Sequence, residues 1–232
     1  MNAIITGATK GIGYAIAQAF AAGGFNLAIT ARSEEGLRSM RRSFGRYFPE
    51  SEVLAVPANL GRKEEAKAFA REVSGHFPAI DVLVNNAGLF LPDDITQEED
   101  YVLEQMMAVN LYGPYYLTKA LLPDMKKRRQ GHIFNICSTA SLAAQPDKGS
   151  YGITKFALLG FTKALRMELR DHGIRVTAVL PGSTWSASWE GTGVEEEELM
   201  RPEDVALAVW NAWSMSPNTV VEEILMRPLG EV

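Results

Sequence analysis

Eight residues near the start of the chain, Thr6-Gly-Ala-Thr-Lys-Gly-Ile-Gly13, restrict its fold more than any other stretch. They follow Met1 to Ile5, which reads as a short buried strand. Beyond them Ile12, Ile16, Ala17, Ala19 and Phe20 recur at helical spacing until Gly23 and Gly24 close the segment. Strand, glycine turn and helix together let a backbone approach its ligand closely. The helix N-terminus adds free N–H donors and the positive end of its dipole. In that setting the glycine spacing is a dinucleotide fingerprint, shaped for a pyrophosphate. A glycine-rich turn in some other α/β protein would explain the composition but not the setting.

The rest of the chain alternates short apolar runs with longer amphipathic segments. Strands are predicted at Asn26–Thr30, Val53–Val56, Ile80–Val84, Ile133–Cys137, Arg175–Val179 and Val220–Leu225. Helices are predicted near Glu34–Phe48, Lys63–Phe77, Glu99–Arg128, Ser150–His172 and Pro202–Ser214. Such alternation implies right-handed βαβ units: an α/β fold with one Rossmann-type, doubly wound parallel sheet of about seven strands, helices on both faces. No repeat, low-complexity tract or linker divides residues 1–232, so a single dinucleotide-binding and catalytic domain is expected.

Composition narrows the function classes. With 47% hydrophobic and 22% charged residues, the chain is ordinary for a water-soluble globular protein. Its net charge of −5 argues against a general nucleic-acid binder. No long apolar span is seen and no leader is expected, since residues 1 to 5 read as folded structure. One cysteine, Cys137, cannot form an internal disulfide and fits a reducing, cytoplasmic setting. It reads as a small buried strand residue and not as a nucleophile. His76, His132 and His172 lack metal-ligand spacing, so no metal site is predicted. Lys126–Arg129 reads as cations closing a helix, with Gly131 beyond, and Glu195–Glu198 as the solvated first turn of a short helix.

Chemistry enters with Tyr151-Gly-Ile-Thr-Lys155. Tyrosine and lysine four apart share one helix face. An ammonium beside a phenol favours the phenolate, which suits the phenol to proton transfer. Ser138, at the end of a predicted strand, adds a hydroxyl able to donate to developing negative charge.

These motifs, in this order, resemble the short-chain dehydrogenase/reductase family in its classical branch, over nearly the whole chain. The resemblance rests on TGATKGIG, NNAG at Asn85–Gly88, Asn110 in a long helix, Ser138, YGITK thirteen positions on, and Pro181-Gly182. The short length sets the chain apart from the extended sugar-nucleotide epimerases, which also carry Y-x-x-x-K. The resemblance implies hydride transfer between a nicotinamide cofactor and a carbonyl or secondary alcohol. Tyr151 would be general acid/base, and Lys155 would support it and hold the nicotinamide ribose. Ser138 would hold the carbonyl oxygen, and Asn110 would position a water beside Lys155. Cofactor contacts are implied at Gly7, Thr9, Lys10, Gly11, Ile12 and Gly13, at Asn86, Ala87 and Gly88, and at Pro181, Gly182 and Thr184, with Ser183 able to share the last role.

The second strand ends Thr30-Ala31 and then Arg32-Ser33, with no acidic residue to pair ribose hydroxyls and repel a 2′-phosphate. Arg32 offers a planar donor fork and Lys10 a second charge, so NADP(H) is expected rather than NAD(H). One departure falls in the adenine region. Family members commonly carry aspartate and an aliphatic residue there, where this chain has Asn59 and Leu60; Asn59 still offers a carbonyl acceptor. Substrate-facing positions are predicted at Leu89, Phe90 and Leu91, at Leu142–Gln145, and around Trp185 and Trp189 in the irregular stretch Ser183–Gly193. Their apolar character favours a neutral or hydrophobic small-molecule carbonyl.

Two rival readings stay open. A 3-oxoacyl group on acyl carrier protein would use Lys126–Arg129 for docking. A dinucleotide-sensing protein without turnover is the other, although sensors on this fold often lose the tyrosine or lysine. The resemblance also implies a homo-oligomer paired through the helices Glu99–Arg128 and Ser150–His172, with Phe156, Leu158, Leu159, Phe161 and Leu165 as a possible seam. Little chain follows the last strand to build a lid.

Overall fold

In a computed structural model, residues 1–91, 94–146, 148–186, 189 and 193–230 are described. Seven strands form one wholly parallel sheet in the order β3-β2-β1-β4-β5-β6-β7. The strands are β1 (Asn2–Thr6), β2 (Asn26–Ala31), β3 (Val53–Pro57), β4 (Val82–Asn85), β5 (Gly131–Ile136), β6 (Ile174–Pro181) and β7 (Glu223–Met226). The predicted fold class, a doubly wound parallel sheet, is therefore found. Strand order reverses between β1 and β4, and the crevice above that point is where such sheets bind ligands.

Alternation along each strand decides which helix it meets. Ala3 and Ile5 of β1, Leu27 and Ile29 of β2, and Val82 and Val84 of β4 face one layer. That layer is built from α1 (Gly11–Ala22), α2 (Glu34–Tyr47) and α7 (Pro202–Ser214). Ile4, Ala28, Leu83 and Ile133 face the other, from α3 (Lys63–His76), α5 (Gly113–Arg128) and α6 (Gly149–Leu169). Phe20 meets Trp210 edge-on at 5.4 Å, and Phe25 meets Trp210 and Trp213 edge-on at 6.2 and 5.5 Å, joining α1 and the turn after it to α7. Such pairs add about 0.5–1.5 kcal/mol each beyond the area they bury. Among the described residues no helix is long and apolar enough to cross a membrane.

The predicted helix Glu99–Arg128 differs in one respect that matters later. It divides into α4 (Tyr101–Met107), a single π-helical turn at Ala108–Tyr112, and α5. Hydrophobic spacing alone does not reveal one extra residue in a turn, and such turns gather at functional sites. The basic run closes α5 as expected, with Lys126, Lys127 and Arg128 in its last turn. Arg128 turns inward onto Asp124, Asp81 and the Ile80 carbonyl, while Arg129 donates to the Asp171 carbonyl at 2.8 Å. The left-handed cap is Arg129 itself (φ 52°) and not a glycine. This end of α5 lies where the strands begin, opposite the crevice. In α6 the proposed seam divides: Leu158, Leu159 and Leu165 are core, Phe161 packs against it, and Phe156 is exposed with Ile153, Tyr112 and Tyr115.

His132 in β5 is fully buried, stacked on Phe134 at 3.9 Å. The Thr177 hydroxyl has a single hydrogen, and it goes to the Val221 carbonyl at 2.6 Å. The His132 Nε2 must then donate to Thr177 at 2.8 Å, which leaves Nδ1 bare. Burial, with nearby Arg175, holds His132 well below the usual histidine range, so it stays neutral in the fold. The unfolded chain takes up a proton as pH falls through about 6.5, and the native state does not. Stability should therefore fall below that pH, by up to about 1.4 kcal/mol per unit from this residue. Chemical denaturation between pH 7 and pH 5 should show a shallower slope for His132→Asn than for the wild type.

Candidate active site

The crevice is built where β1 and β4 diverge. The Thr6 hydroxyl oxygen accepts from the backbone N–H groups of Asn86 and Ala87, both at 2.9 Å. In return the Asn86 side-chain amide donates to the carbonyls of Thr6 (2.9 Å) and Gly7 (3.1 Å). This clasp draws the glycine turn against the NNAG segment. Gly7 (φ 62°) would place a Cβ 2.9 Å from the Ala87 Cα, and a Cβ on Gly13 would collide with the Asn86 amide and the Gly7 carbonyl. Both glycines are thus required by the close seating of the turn on the NNAG segment, and the turn leads into the N-terminus of α1, whose free N–H groups suit a pyrophosphate. Gly11 is also left-handed, at φ 55°.

The opposite wall is α6, whose first turns carry Tyr151 and Lys155. Lys155 is 5% exposed, and its ammonium donates to the Ile136 carbonyl at the end of β5 (2.8 Å). That bond bends the side chain back beneath Tyr151, whose ring centre lies 5.5 Å from Nζ. A Cβ on Gly88 would sit 4.0 Å from the same nitrogen, so the NNAG segment reaches the lysine. Ser138 starts the short turn Thr139–Ser141 that rests on α6 near Gly152. Its oxygen accepts from the Ala140 N–H at 3.1 Å, which leaves the hydroxyl hydrogen to donate elsewhere. Phe90 meets the Tyr151 ring edge-on at 4.8 Å and is 39% exposed, so one wall beside the phenol is aromatic.

Asn110 occupies the π-helical turn, buried. Its Oδ1 accepts from the Leu89 N–H (2.7 Å), and its Nδ2 donates to the Leu89 carbonyl (2.9 Å) and the Thr154 hydroxyl (3.0 Å). Both side-chain donors are spent, so a water beside Lys155 would meet either the second lone pair of Oδ1 or the main chain of the turn. Thr154 was not singled out from sequence, and the hydroxyl inside Y-x-x-x-K is the signal that could have done so.

On the other arm of the crevice Arg32 and Lys10 are exposed cations, neither engaged by another described residue. Asn59, just past β3, uses its Oδ1 to accept from the Gly61 N–H at 3.1 Å. Its own N–H is held by Glu65 at 2.7 Å, so the expected carbonyl acceptor is already half spent. Beyond β6, Thr184 donates to the Gly182 carbonyl at 3.0 Å and pairs with Met200. Trp189 reaches the Thr184 carbonyl through its indole N–H at 3.0 Å. Residues 187–188 and 190–192 of the predicted substrate stretch lie outside the described residues. Among the described residues no group of three or more metal-ligating side chains gathers.

Comparison with known proteins agrees with this geometry. The family model for short chain dehydrogenases matches residues 1–196. An uncharacterised oxidoreductase of Staphylococcus epidermidis is 31% identical over 230 residues, covering 98% of this chain and 96% of the relative. An alcohol dehydrogenase from the archaeon Thermococcus sibiricus, complexed with 5-hydroxy-NADP, superposes with a TM-score of 0.90 at 29% identity, covering 98% of this chain and 96% of that one. A metagenomic short-chain oxidoreductase in complex with NADP gives 0.85 at 31% identity, over 100% and 98%.

Cys137 closes the floor of the crevice between β5 and Ser138, 2% exposed. Burial pushes its thiol up to about 11, even though the neighbouring Lys155 pulls the other way. It is protonated at neutral pH and unsuited to nucleophilic work. The native protein should resist maleimide at pH 7.5 and label promptly in denaturant; fast native labelling would contradict this burial.

Proposed function

The chain belongs to the short-chain dehydrogenase family, and from that premise we propose an NADP(H)-dependent oxidoreductase that interconverts a carbonyl and a secondary alcohol. What supports the reading is Lys155 held beneath the Tyr151 ring, with Ser138 and its free hydroxyl hydrogen on the turn that rests on the same helix, beside the glycine turn. Bound NADPH supplies the hydride. In the reducing direction Tyr151 Oη gives its proton to the carbonyl oxygen, and in oxidation it takes that proton back. Ser138 Oγ donates to the same oxygen and steadies the charge that develops there. Lys155 has three donors, one spent on Ile136, which leaves two for a ribose hydroxyl and for the field on the phenol. Asn110 sets the turn from which its main chain can order a water beside Lys155.

The glycine turn from Gly7 to Gly13, with Thr9 and Ile12, would hold the pyrophosphate, and Asn86, Ala87 and Gly88 the nicotinamide half. Leu60 and Asn59 would flank the adenine, with Pro181, Gly182 and Thr184 near the carboxamide. Unengaged Arg32 and Lys10 support a 2′-phosphate, and relatives of similar fold are complexed with NADP. The apolar wall of Phe90 and Leu89 favours a neutral carbonyl substrate. Exposed Tyr112, Tyr115, Ile153 and Phe156 on α5 and α6 and the turn between α4 and α5 support pairing with a second copy, in a reducing cytoplasm.

Two experiments test this. Across a panel of aldehydes and ketones, Tyr151→Phe should abolish NADPH consumption while NADPH binding persists; undiminished turnover would remove the tyrosine from its role. Arg32→Ala should weaken NADPH binding about tenfold to a hundredfold, the value of one or two charged hydrogen bonds, and leave NADH unaffected. Equal losses for both cofactors would refute the phosphate contact.

A further inference from the structure

Thr154 lies between Tyr151 and Lys155 on α6 and is 0% exposed. A hydroxyl in such a place costs stability unless it is bonded, and a β-branched residue is no asset to a helix. Both of its bonds are specific. The hydroxyl donates to the Tyr151 carbonyl at 2.8 Å, so its oxygen is left to accept from Asn110 Nδ2 at 3.0 Å. The remaining Asn110 atoms are spent on the Leu89 backbone, at 2.7 and 2.9 Å. Among the described residues Thr154 is thus the one hydrogen-bonded link between the Asn110 side chain and the catalytic helix. What Asn110 holds is the Gly88–Leu89 backbone, where a Cβ on Gly88 would stand 3.6 Å from Asn110 Oδ1 and 4.0 Å from Lys155 Nζ.

We propose that Thr154 is a positioning residue for the reaction. Its hydroxyl locks the π-helical turn Ala108–Tyr112 and the Gly88–Leu89 backbone to α6, and so fixes the surroundings of Lys155 and Tyr151. The kinetic consequence rests on the reductase reading; the mechanical one does not. Removing the hydroxyl leaves an Asn110 hydrogen without a partner in a dry site, and the turn must shift to satisfy it.

The same helix contains its own control. Thr162 is also 0% exposed, donates to the Leu158 carbonyl at 2.7 Å and accepts from Asn135 Nδ2 at 2.9 Å. Its bonding pattern matches that of Thr154, but it lies two turns further from the crevice. A merely structural role would make the two threonines equivalent.

The test compares wild type, Thr154→Val, Thr154→Ser and Thr162→Val. Steady-state kinetics use NADPH with a carbonyl that the wild type reduces, and amide hydrogen exchange is followed at Leu89 and across Ala108–Tyr112. Thr154→Val should lower kcat about tenfold or more, as small misplacements of reacting groups do, with KM for NADPH unchanged. Thr154→Ser should restore kcat, and Thr162→Val should lower melting temperature but keep kcat. Exchange at Leu89 and the π turn should quicken in Thr154→Val alone. Wild-type kcat in Thr154→Val, or an equal loss in Thr162→Val, would overturn the proposal. Should the wild type reduce no carbonyl, the reductase reading fails by itself. Exchange then decides the clamp: quickened in Thr154→Val it stands, unchanged it falls.

Discussion

The reciprocal clasp between Thr6 and Asn86 holds together the two chain segments from which the crevice is made. One hydroxyl oxygen receives two backbone donors, and one side-chain amide supplies two backbone carbonyls. Each bond is worth about 1 kcal/mol net, so the clasp matters less for stability than for distance. It brings β1 and β4 together at the point where their loops part. The glycines follow from it. Gly13 has no room for a Cβ because the Asn86 amide and the Gly7 carbonyl are already there. TGATKGIG and NNAG are therefore two halves of one packing unit, although nearly eighty residues separate them.

Beneath the crevice the helices of one layer are tied to the sheet by polar bonds as well as by apolar contact. Asn85 Nδ2 reaches Thr118 of α5 at 3.0 Å and Asn135 of β5 at 2.8 Å, and Asn135 Nδ2 reaches Thr162 of α6. Apolar packing tolerates small slides and rotations of a helix on a sheet. A buried amide does not, because each misdirected donor costs a desolvated hydrogen bond. The bonds thus seat α5 and the middle of α6 on the sheet, two turns away from the crevice.

What the sequence makes legible follows from what is local. The seven strands, the glycine turn and the Tyr151–Lys155 spacing are encoded in runs of a few residues, and periodicity reads them to within a few positions. The π turn is not periodic, since one additional residue leaves intact the pattern of Val102 and Met106 before it and of Leu117, Leu121 and Met125 after it. Thr154 stands inside the motif, but the partner that gives it a role, Asn110, lies 44 residues away on another element. Asn59 shows the same limit. Its residue type offers an acceptor, but only the fold reveals that Gly61 uses it. Arg128 likewise reads as surface charge until Asp81, 47 residues away, comes beside it.

The cations of the crevice are divided by burial, and the division matches the tasks proposed for them. Arg32 and Lys10 stand in solvent, where a charge costs nothing to keep and where a phosphate can displace water from it. Lys155 is taken out of water, which is costly for an ammonium, and only the Ile136 carbonyl is given in return. Among the described residues no carboxylate pairs with it. Cys137, the ionisable group at its side, is kept neutral by burial and cannot quench the charge as a thiolate. In a medium less polarisable than water the field of that charge reaches further, and the ring it faces is Tyr151. A charge held against a desolvation cost, with no carboxylate beside it, fits the part proposed for Lys155 next to Tyr151.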